Sequence, residues 1–278
     1  MTPEERLYEG RKLAEAYPGL ETMANEHFTT HAMGVEGVAE TMTILSRITD
    51  LPAGNNKVAL VGCGPLPYSL KTLVGMGYDV VGVEPVPGFV ESARNFLGDS
   101  GARVLQGSAE NLPFEDNSMA AVVLETVLEH VDSPSKTLNE AYRVLAPGGV
   151  AFIETLNRHR FSIRGFNGEY NLPFFNYYPK TLKEAFVHHH LHYNPKLANY
   201  STRPAVHWFS YADLCAAGRE AGFYRFYPRF DGMRPGDPSV SRGKMRQLML
   251  KKIRFSPFFR FLALLQYGSS VFMLKRPD

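Results

Sequence analysis

Between Lys57 and Leu156, short apolar segments alternate with longer amphipathic ones. The segments KVALVG, YDVVGVEP, ARVLQGS, MAAVVLET and VAFIETL are typical of buried strands. MAAVVLET is apolar on both faces, as a central parallel strand is. Between the strands, apolar residues recur every three or four positions, which predicts helices. This rhythm predicts an α/β fold with a doubly wound sheet, whose ligands bind beyond the carboxyl ends of the strands.

Local signals predict where several helices begin and end. Ser133 followed by Pro134 starts a helix, whose buried stripe runs to Leu145 and which PGG at 147–149 ends. A second helix begins at Ser210, because Asp213 three positions later completes a capping box. Further along, SRGKMRQLMLKKIRF and SPFFRFLALLQYG predict two helices, and YRFYPRF and SSVFMLK predict two more strands.

The rhythm divides the chain into three parts. Residues 1–50 show helix-like spacings and form an N-terminal helical segment. Residues 51–156 and 207–278 carry the strand and helix pattern of one domain. Residues 157–206 are rich in Phe, Tyr, Asn and His and too long for an ordinary loop, so we predict an inserted lid there.

Composition limits the cellular setting. Only Cys63 and Cys215 occur, which is too few for a disulfide framework, so we expect a reducing, cytoplasmic compartment. The opening MTPEERLYEG is charged and does not resemble a signal peptide. With 44% hydrophobic residues the chain can bury a sizeable core.

Charge is unevenly distributed, although the formal net charge is only +2. Residues 238–277 contain nine Lys and Arg residues and no Asp or Glu. One interpretation is a surface helix that packs Met245, Leu248, Met249 and Ile253 on the sheet. The alternative is peripheral membrane contact through 242–261, which would suit a lipid-linked substrate. Nucleic acid is a less favoured partner, and the sequence leaves the oligomeric state open.

The turn after the first strand, VGCGPLP, predicts a nucleotide-like ligand. Gly62 and Gly64 allow the backbone to turn sharply and to approach a ligand closely. Glu84, at the end of the second strand, can accept hydrogen bonds from two ribose hydroxyls. These features fit either a dinucleotide or S-adenosylmethionine, and a G-x-G alone does not distinguish them.

A wider set of motifs resembles one family. VALVGCG, VVGVEP, GSAENLPFEDNSMAAVV, LETVLEHVDSPSKTLNEAYRVLAPGGVAFIE and HWFSYADLCAAGREAGF resemble class I S-adenosylmethionine-dependent methyltransferases, especially the ubiquinone-biosynthesis and small-molecule O-methyltransferase branch. The resemblance implies a Rossmann-like sheet of seven strands with the last antiparallel. It also implies methyl transfer to a small-molecule or lipid-linked acceptor, at oxygen. The implied cofactor-binding residues are Gly62, Cys63, Gly64, Glu84, Pro85, Ser108, Ala109, Glu125 and Thr126.

Three positions depart from the family pattern. Leu60 stands where the family has an acid, Leu66 where it has a third glycine, and Ser108 where it has an aspartate. Two rival functions therefore stay open. One is a non-catalytic, methyltransferase-like partner subunit, and the other is a nicotinamide-dependent oxidoreductase.

Histidines are the candidate catalytic residues, because an imidazole titrates near neutral pH and can deprotonate an alcohol or phenol. His130, just beyond the fourth strand, is the first candidate base, and His207 is the second. His188 and His192 would share one helical face, but no carboxylate lies at a matching spacing, so we predict no metal. The candidate substrate-pocket residues are Tyr170, Phe174, Tyr178, His188 and His192.

Overall fold

The computed structural model describes residues 33–65, 67–161, 174–187 and 205–277. Within them, seven strands form one sheet in the order β3-β2-β1-β4-β5-β7-β6. β7 is antiparallel to both of its neighbours, and the other neighbouring strands are parallel. The predicted seven-stranded, doubly wound sheet is confirmed. The strands are β1 (Lys57–Val61), β2 (Asp79–Glu84), β3 (Arg103–Gln106), β4 (Met119–Glu125), β5 (Leu145–Glu154), β6 (Arg225–Pro228) and β7 (Ser270–Leu274).

Helices cover both faces of the sheet. Alternate residues of β4 enter two separate apolar clusters: Ala121 and Val123 pack with α1, α2 and α3, while Val122 and Leu124 pack with α4 and α6. β4 is therefore apolar on both sides because both sides are covered. The helices are α1 (Met33–Ile48), α2 (Tyr68–Gly75), α3 (Pro87–Leu97), α4 (Pro134–Val144), α5 (Lys180–Phe186), α6 (Tyr211–Glu220), α7 (Pro238–Ser241), α8 (Lys244–Phe255) and α9 (Pro257–Tyr267).

The two predicted helix starts are confirmed, whereas one predicted helix end is wrong. The Ser133 hydroxyl caps α4, and Ser210 forms the predicted capping box of α6. However, α4 ends at Val144, and Leu145 already pairs with β4 as the first residue of β5. The two glycines of PGG lie within β5, where its pairing with β4 is irregular. Gly148 has a φ of +76°, and a β-carbon at Gly149 would lie 2.8 Å from a backbone oxygen.

The segment predicted as an insertion leaves the sheet and returns at the same point. Asn157 and Phe209 form a parallel bridge, and the amide of Phe209 donates to the Leu156 carbonyl at 3.0 Å. Between them, the described residues include a 3₁₀ turn and α5. Phe175 and Trp208 meet edge to face at 5.7 Å in a small separate core. The domain boundaries themselves stay a prediction.

Candidate active site

The glycine turn follows β1, the strand at which the strand order of the sheet changes direction. β1 has β2 on one side and β4 on the other, so the carboxyl ends of β1 and β4 adjoin at a topological switch point. Gly62 and Gly64 have φ angles of +70° and +68°. A β-carbon at Gly62 would lie 2.5 Å from Cγ2 of Val127, just after β4. Only glycine fits this conformation and this close contact.

Glu84 fixes the turn from the neighbouring strand. Its carboxylate is buried and accepts the amide of Gly64 at 3.0 Å and that of Val86 at 3.1 Å. Burial raises the pKa of Glu84, and the two backbone hydrogen bonds oppose this rise. Each carboxylate oxygen of Glu84 accepts one amide and can accept a second hydrogen bond. Glu84 can therefore hold the turn and a diol together.

The other predicted cofactor residues lie near Glu84 along the same edge. Pro85 is exposed directly after it. The loop after β3 joins the group, because the amide of Gly107 donates to the Glu84 carbonyl, and Ser108 and Ala109 follow. Cys63 packs against Gly82, and burial together with the nearby Glu84 raises the pKa of its thiol. Cys63 therefore stays protonated and acts as a packing residue rather than a nucleophile.

The end of β4 contains a strained residue. Thr126 is exposed and has a φ of +55°, which is unusual for a β-branched side chain. Its amide donates to the Glu154 carbonyl at 2.8 Å, and its hydroxyl donates to the Glu125 carbonyl at 2.7 Å. Backbone strain of this kind concentrates at functional sites. The strain lies at the predicted cofactor residues Glu125 and Thr126.

Glu125 faces a charge cluster that sequence reasoning missed. Arg229 pairs with Glu40 of α1 at 3.1 Å and with Glu154 of β5 at 3.4 Å. Glu154 is also the direct strand partner of Glu125. Burial, and then the charge of Glu154, raise the pKa of Glu125 to about 7, whereas Arg229 and the Thr41 hydroxyl lower it. The cluster thus places one guanidinium among three carboxyl groups.

Both candidate histidines lie at the turn that follows β4. The amide of His130 donates to the Val127 carbonyl at 2.9 Å. His207 reaches this turn from the far end of the insertion, and its Nε2 lies 3.0 Å from the Val131 carbonyl. With Nε2 as the donor, the proton of a neutral His207 resides on that nitrogen. The fold thus brings together two histidines 77 residues apart, and their catalytic roles stay a prediction.

The same turn contains a buried acid, Glu129, which sequence reasoning also missed. Its carboxylate accepts the Thr155 hydroxyl at 2.7 Å, and burial raises its pKa to about 7 despite this bond. Its backbone carbonyl accepts the amides of Val206 and His207, so Glu129 joins the turn to the end of the insertion. No periodic pattern marks a single buried acid in an irregular turn.

Glu129→Gln is expected to stabilise the fold above pH 7. The pKa of Glu129 is near 4.5 in the unfolded chain and about 7 in the folded protein. Its contribution to stability is therefore complete below pH 4.5 and is lost as the pH rises through about 7. The loss is about 3 kcal/mol, and glutamine avoids it while still accepting from Thr155. Urea unfolding at pH 5 and pH 8 should show the advantage of the variant growing with pH. Glu220, an exposed acid at the end of α6, provides the control variant Glu220→Gln. The raised pKa of Glu129 would be contradicted if the stability difference between Glu129→Gln and the parent were the same at both pH values, or if Glu220→Gln showed the same change with pH.

The predicted pocket residues are only partly described. Tyr170, His188 and His192 lie outside the described residues. Phe174 and Tyr178 are exposed, while their neighbour Phe175 is fully buried. Phe174 lies 6.2 Å from Phe161 and has a left-handed backbone. A pocket role for these aromatic residues stays a prediction.

Comparison with known proteins shows which proteins this part of the chain is similar to. Residues 60–153 match the family described as "Methyltransferase domain". An uncharacterised methyltransferase of Mycobacterium tuberculosis is 38% identical over 99 residues, 36% of this chain and 39% of that protein. The ubiquinone biosynthesis O-methyltransferase of Azorhizobium caulinodans is 34% identical over 109 residues, 38% of this chain and 43% of that protein. The matches therefore span about two fifths of these relatives.

A solved structure extends the likeness of the fold. It is phosphoethanolamine N-methyltransferase 2 of Haemonchus contortus, in complex with S-adenosyl-L-methionine. The TM-score is 0.50 at 16% identity, over 86% of this chain and 53% of that one. At this identity the likeness concerns the fold alone.

Proposed function

We propose that the protein is a class I, S-adenosylmethionine-dependent methyltransferase that transfers a methyl group to a small-molecule or lipid-linked acceptor, at oxygen. The match of residues 60–153 to the family described as "Methyltransferase domain" supports the proposal. The observation that carries the proposal is the joint geometry of Gly62 and Glu84. A turn without β-carbons adjoins a buried carboxylate at the switch point of the sheet. This combination fits a nucleoside with an attached chain.

The chain's own residues divide the work of holding the cofactor. Glu84 would accept from the two ribose hydroxyls, and Ser108 with Ala109 would border the adenine. The glycine turn would hold the methionyl part. Leu60 leaves its position without a carboxylate, and it pairs with Val123, two residues before Glu125, and with Gly82, two residues before Glu84. Glu125 would therefore add a second acid to this edge beside Glu84. Bound S-adenosylmethionine would supply a methyl group on a sulfonium: an in-line acceptor oxygen would bond to the methyl carbon as the carbon–sulfur bond breaks, and S-adenosylhomocysteine would leave.

Oxygen is favoured as the methylated atom by two considerations. The Azorhizobium relative, which is similar to this chain over 109 residues, is named an O-methyltransferase. A hydroxyl nucleophile must lose its proton, and an imidazole beyond β4 is suited to accept it. The remaining task of the protein is to align the acceptor and to exclude water.

The test is transfer of a labelled methyl group. The protein is incubated with methyl-labelled S-adenosylmethionine and with aqueous and lipid extracts, and the products are identified by mass spectrometry. A labelled methyl ether or ester supports the proposal. Label on nitrogen or carbon contradicts the choice of oxygen. Cofactor binding without any labelled product favours the alternative, a non-catalytic partner subunit.

His130→Ala is expected to lower kcat by about 100-fold with little change in cofactor affinity, because a general base acts on the acceptor. Turnover and calorimetric binding are measured on the same preparation, once an acceptor is known. His159→Ala, an exposed histidine outside this turn, is the matched control. Full activity in His130→Ala, with a loss in His207→Ala, would transfer the role of base to His207.

A further inference from the structure

The helix pair α8 and α9 uses only its inner face to hold the fold together. Leu250 of α8 and Ala263 of α9 are buried with Phe230 and Val240 in one apolar cluster. Ile253 packs against the same cluster from the side. The outer faces of both helices point away from this shared contact. We define the hairpin surface as Met245, Leu248, Phe255, Phe258, Phe261 and Leu262.

The hairpin surface is strongly apolar and exposed. Phe255 is 87% exposed, Met245 70%, Phe258 64% and Phe261 56%. Phe258, Phe261 and Leu262 follow the i, i+3, i+4 spacing of an apolar helix stripe. The interpretation that Met245, Leu248, Met249 and Ile253 all pack on the sheet is therefore wrong, because the first three are exposed. Exposed apolar side chains grouped on two helices that share one apolar cluster mark an interaction site, unlike single exposed residues.

Basic side chains surround this apolar surface. Lys244, Lys251 and Lys252 are exposed on α8, and residues 238–277 contain no acid. Three further cations of the hairpin are used for structure, because Arg246 donates to the Ser239 carbonyl, Arg254 donates to the Met233 carbonyl, and Arg260 pairs with Asp231. The lysines are thus the charges that the hairpin presents to a partner. Their sign requires an anionic one.

We propose that the hairpin surface docks on an anionic lipid bilayer, with its phenylalanines in the interface and its lysines at the lipid phosphates. An apolar stripe bordered by lysine is the pattern of helices that lie in a membrane interface. A second copy is disfavoured, because it would bring two positive surfaces together. A nucleic acid would leave the Met and Leu side chains unburied. In the described residues no helix is long and apolar enough to cross a membrane.

This docking is independent of methyl transfer, so it is tested without an acceptor. The full chain is sedimented with vesicles of phosphatidylcholine alone and of phosphatidylcholine with phosphatidylglycerol. We expect binding to the anionic vesicles, with weaker binding at 0.5 M salt because charge attraction is screened. Phe258→Ser with Phe261→Ser should lower the partition coefficient about tenfold or more, and Lys251→Gln with Lys252→Gln should lower it for anionic vesicles alone.

Matched control variants distinguish binding through the hairpin surface from nonspecific adsorption to vesicles. Met76→Ser with Leu105→Ser removes two exposed apolar side chains, one directly after α2 and one on β3, and Lys57→Gln with Lys136→Gln removes two exposed charges elsewhere. Both should bind as the parent does, and all variants should unfold at the same urea concentration. The proposal is overturned by absence of vesicle binding, by equal binding to neutral vesicles, or by unchanged binding of the phenylalanine variant. A dimer that this variant dissociates would instead assign the surface to a second copy.

Discussion

Glu84→Ala is expected to weaken S-adenosylmethionine binding about 100-fold, the largest effect of any single side chain. The substitution removes a buried acceptor for the ribose hydroxyls, and hydrogen bonds to a charged group are worth about 1.5–3 kcal/mol each. It also releases the amides of Gly64 and Val86, which the carboxylate holds at 3.0 and 3.1 Å. Isothermal titration calorimetry gives the change in Kd.

Two companion variants show whether the loss concerns the ligand or the turn. Glu84→Gln keeps an acceptor for one amide but loses the charge, so its affinity should lie between those of the parent and Glu84→Ala. Glu91→Ala, an exposed acid on α3, should bind as the parent does. Unchanged affinity in Glu84→Ala would show that the cofactor lies elsewhere.

Gly62→Ala is expected to have the second largest effect. Its β-carbon would overlap Cγ2 of Val127 at 2.5 Å, and its φ of +70° is unfavourable for alanine. The free energy of unfolding should fall by ~2 to 4 kcal/mol, and cofactor affinity should fall at least tenfold as the turn shifts. Urea unfolding and calorimetry measure the two quantities.

A double-mutant cycle with Val127→Ala isolates the steric part of this effect. Removing the valine methyl groups should restore part of the affinity lost by Gly62→Ala, which gives a favourable coupling between the two sites. Gly75→Ala is the control, because a β-carbon there meets nothing within 4 Å. If Gly62→Ala behaved like Gly75→Ala, the close packing of the turn on the end of β4 would be contradicted.

Local patterns were sufficient to predict the strands of the sheet and the position of Glu84 at the strand end beside the glycine turn. Glu84 follows the glycine turn at a strand end, and strand ends of a parallel sheet share one edge, so its place beside Gly64 follows from spacing alone. Ser133 and Ser210 cap helices through bonds to residues three positions away, which is also local information. Such features depend on neighbours in the sequence.

Long-range contacts explain what the sequence did not predict. Arg229 meets Glu40 across 189 residues, and this pairing depends on how α1 and the end of β6 are placed together. PGG looked like a helix stop, but the pairing of Leu145 with Met119 draws the segment into β5. On α8, periodicity identified apolar positions without showing which of them face the core. Sheet pairing and helix placement override local preference in these cases.

Calorimetric titration of the parent protein with S-adenosylmethionine, with NAD as the comparison ligand, tests the central claim most directly. The geometry of Gly62, Gly64 and Glu84, together with the match of residues 60–153 to a methyltransferase domain, predicts saturable binding of one S-adenosylmethionine per chain and no binding of NAD. Absence of heat at millimolar S-adenosylmethionine, or saturable binding of NAD in its place, would contradict the account.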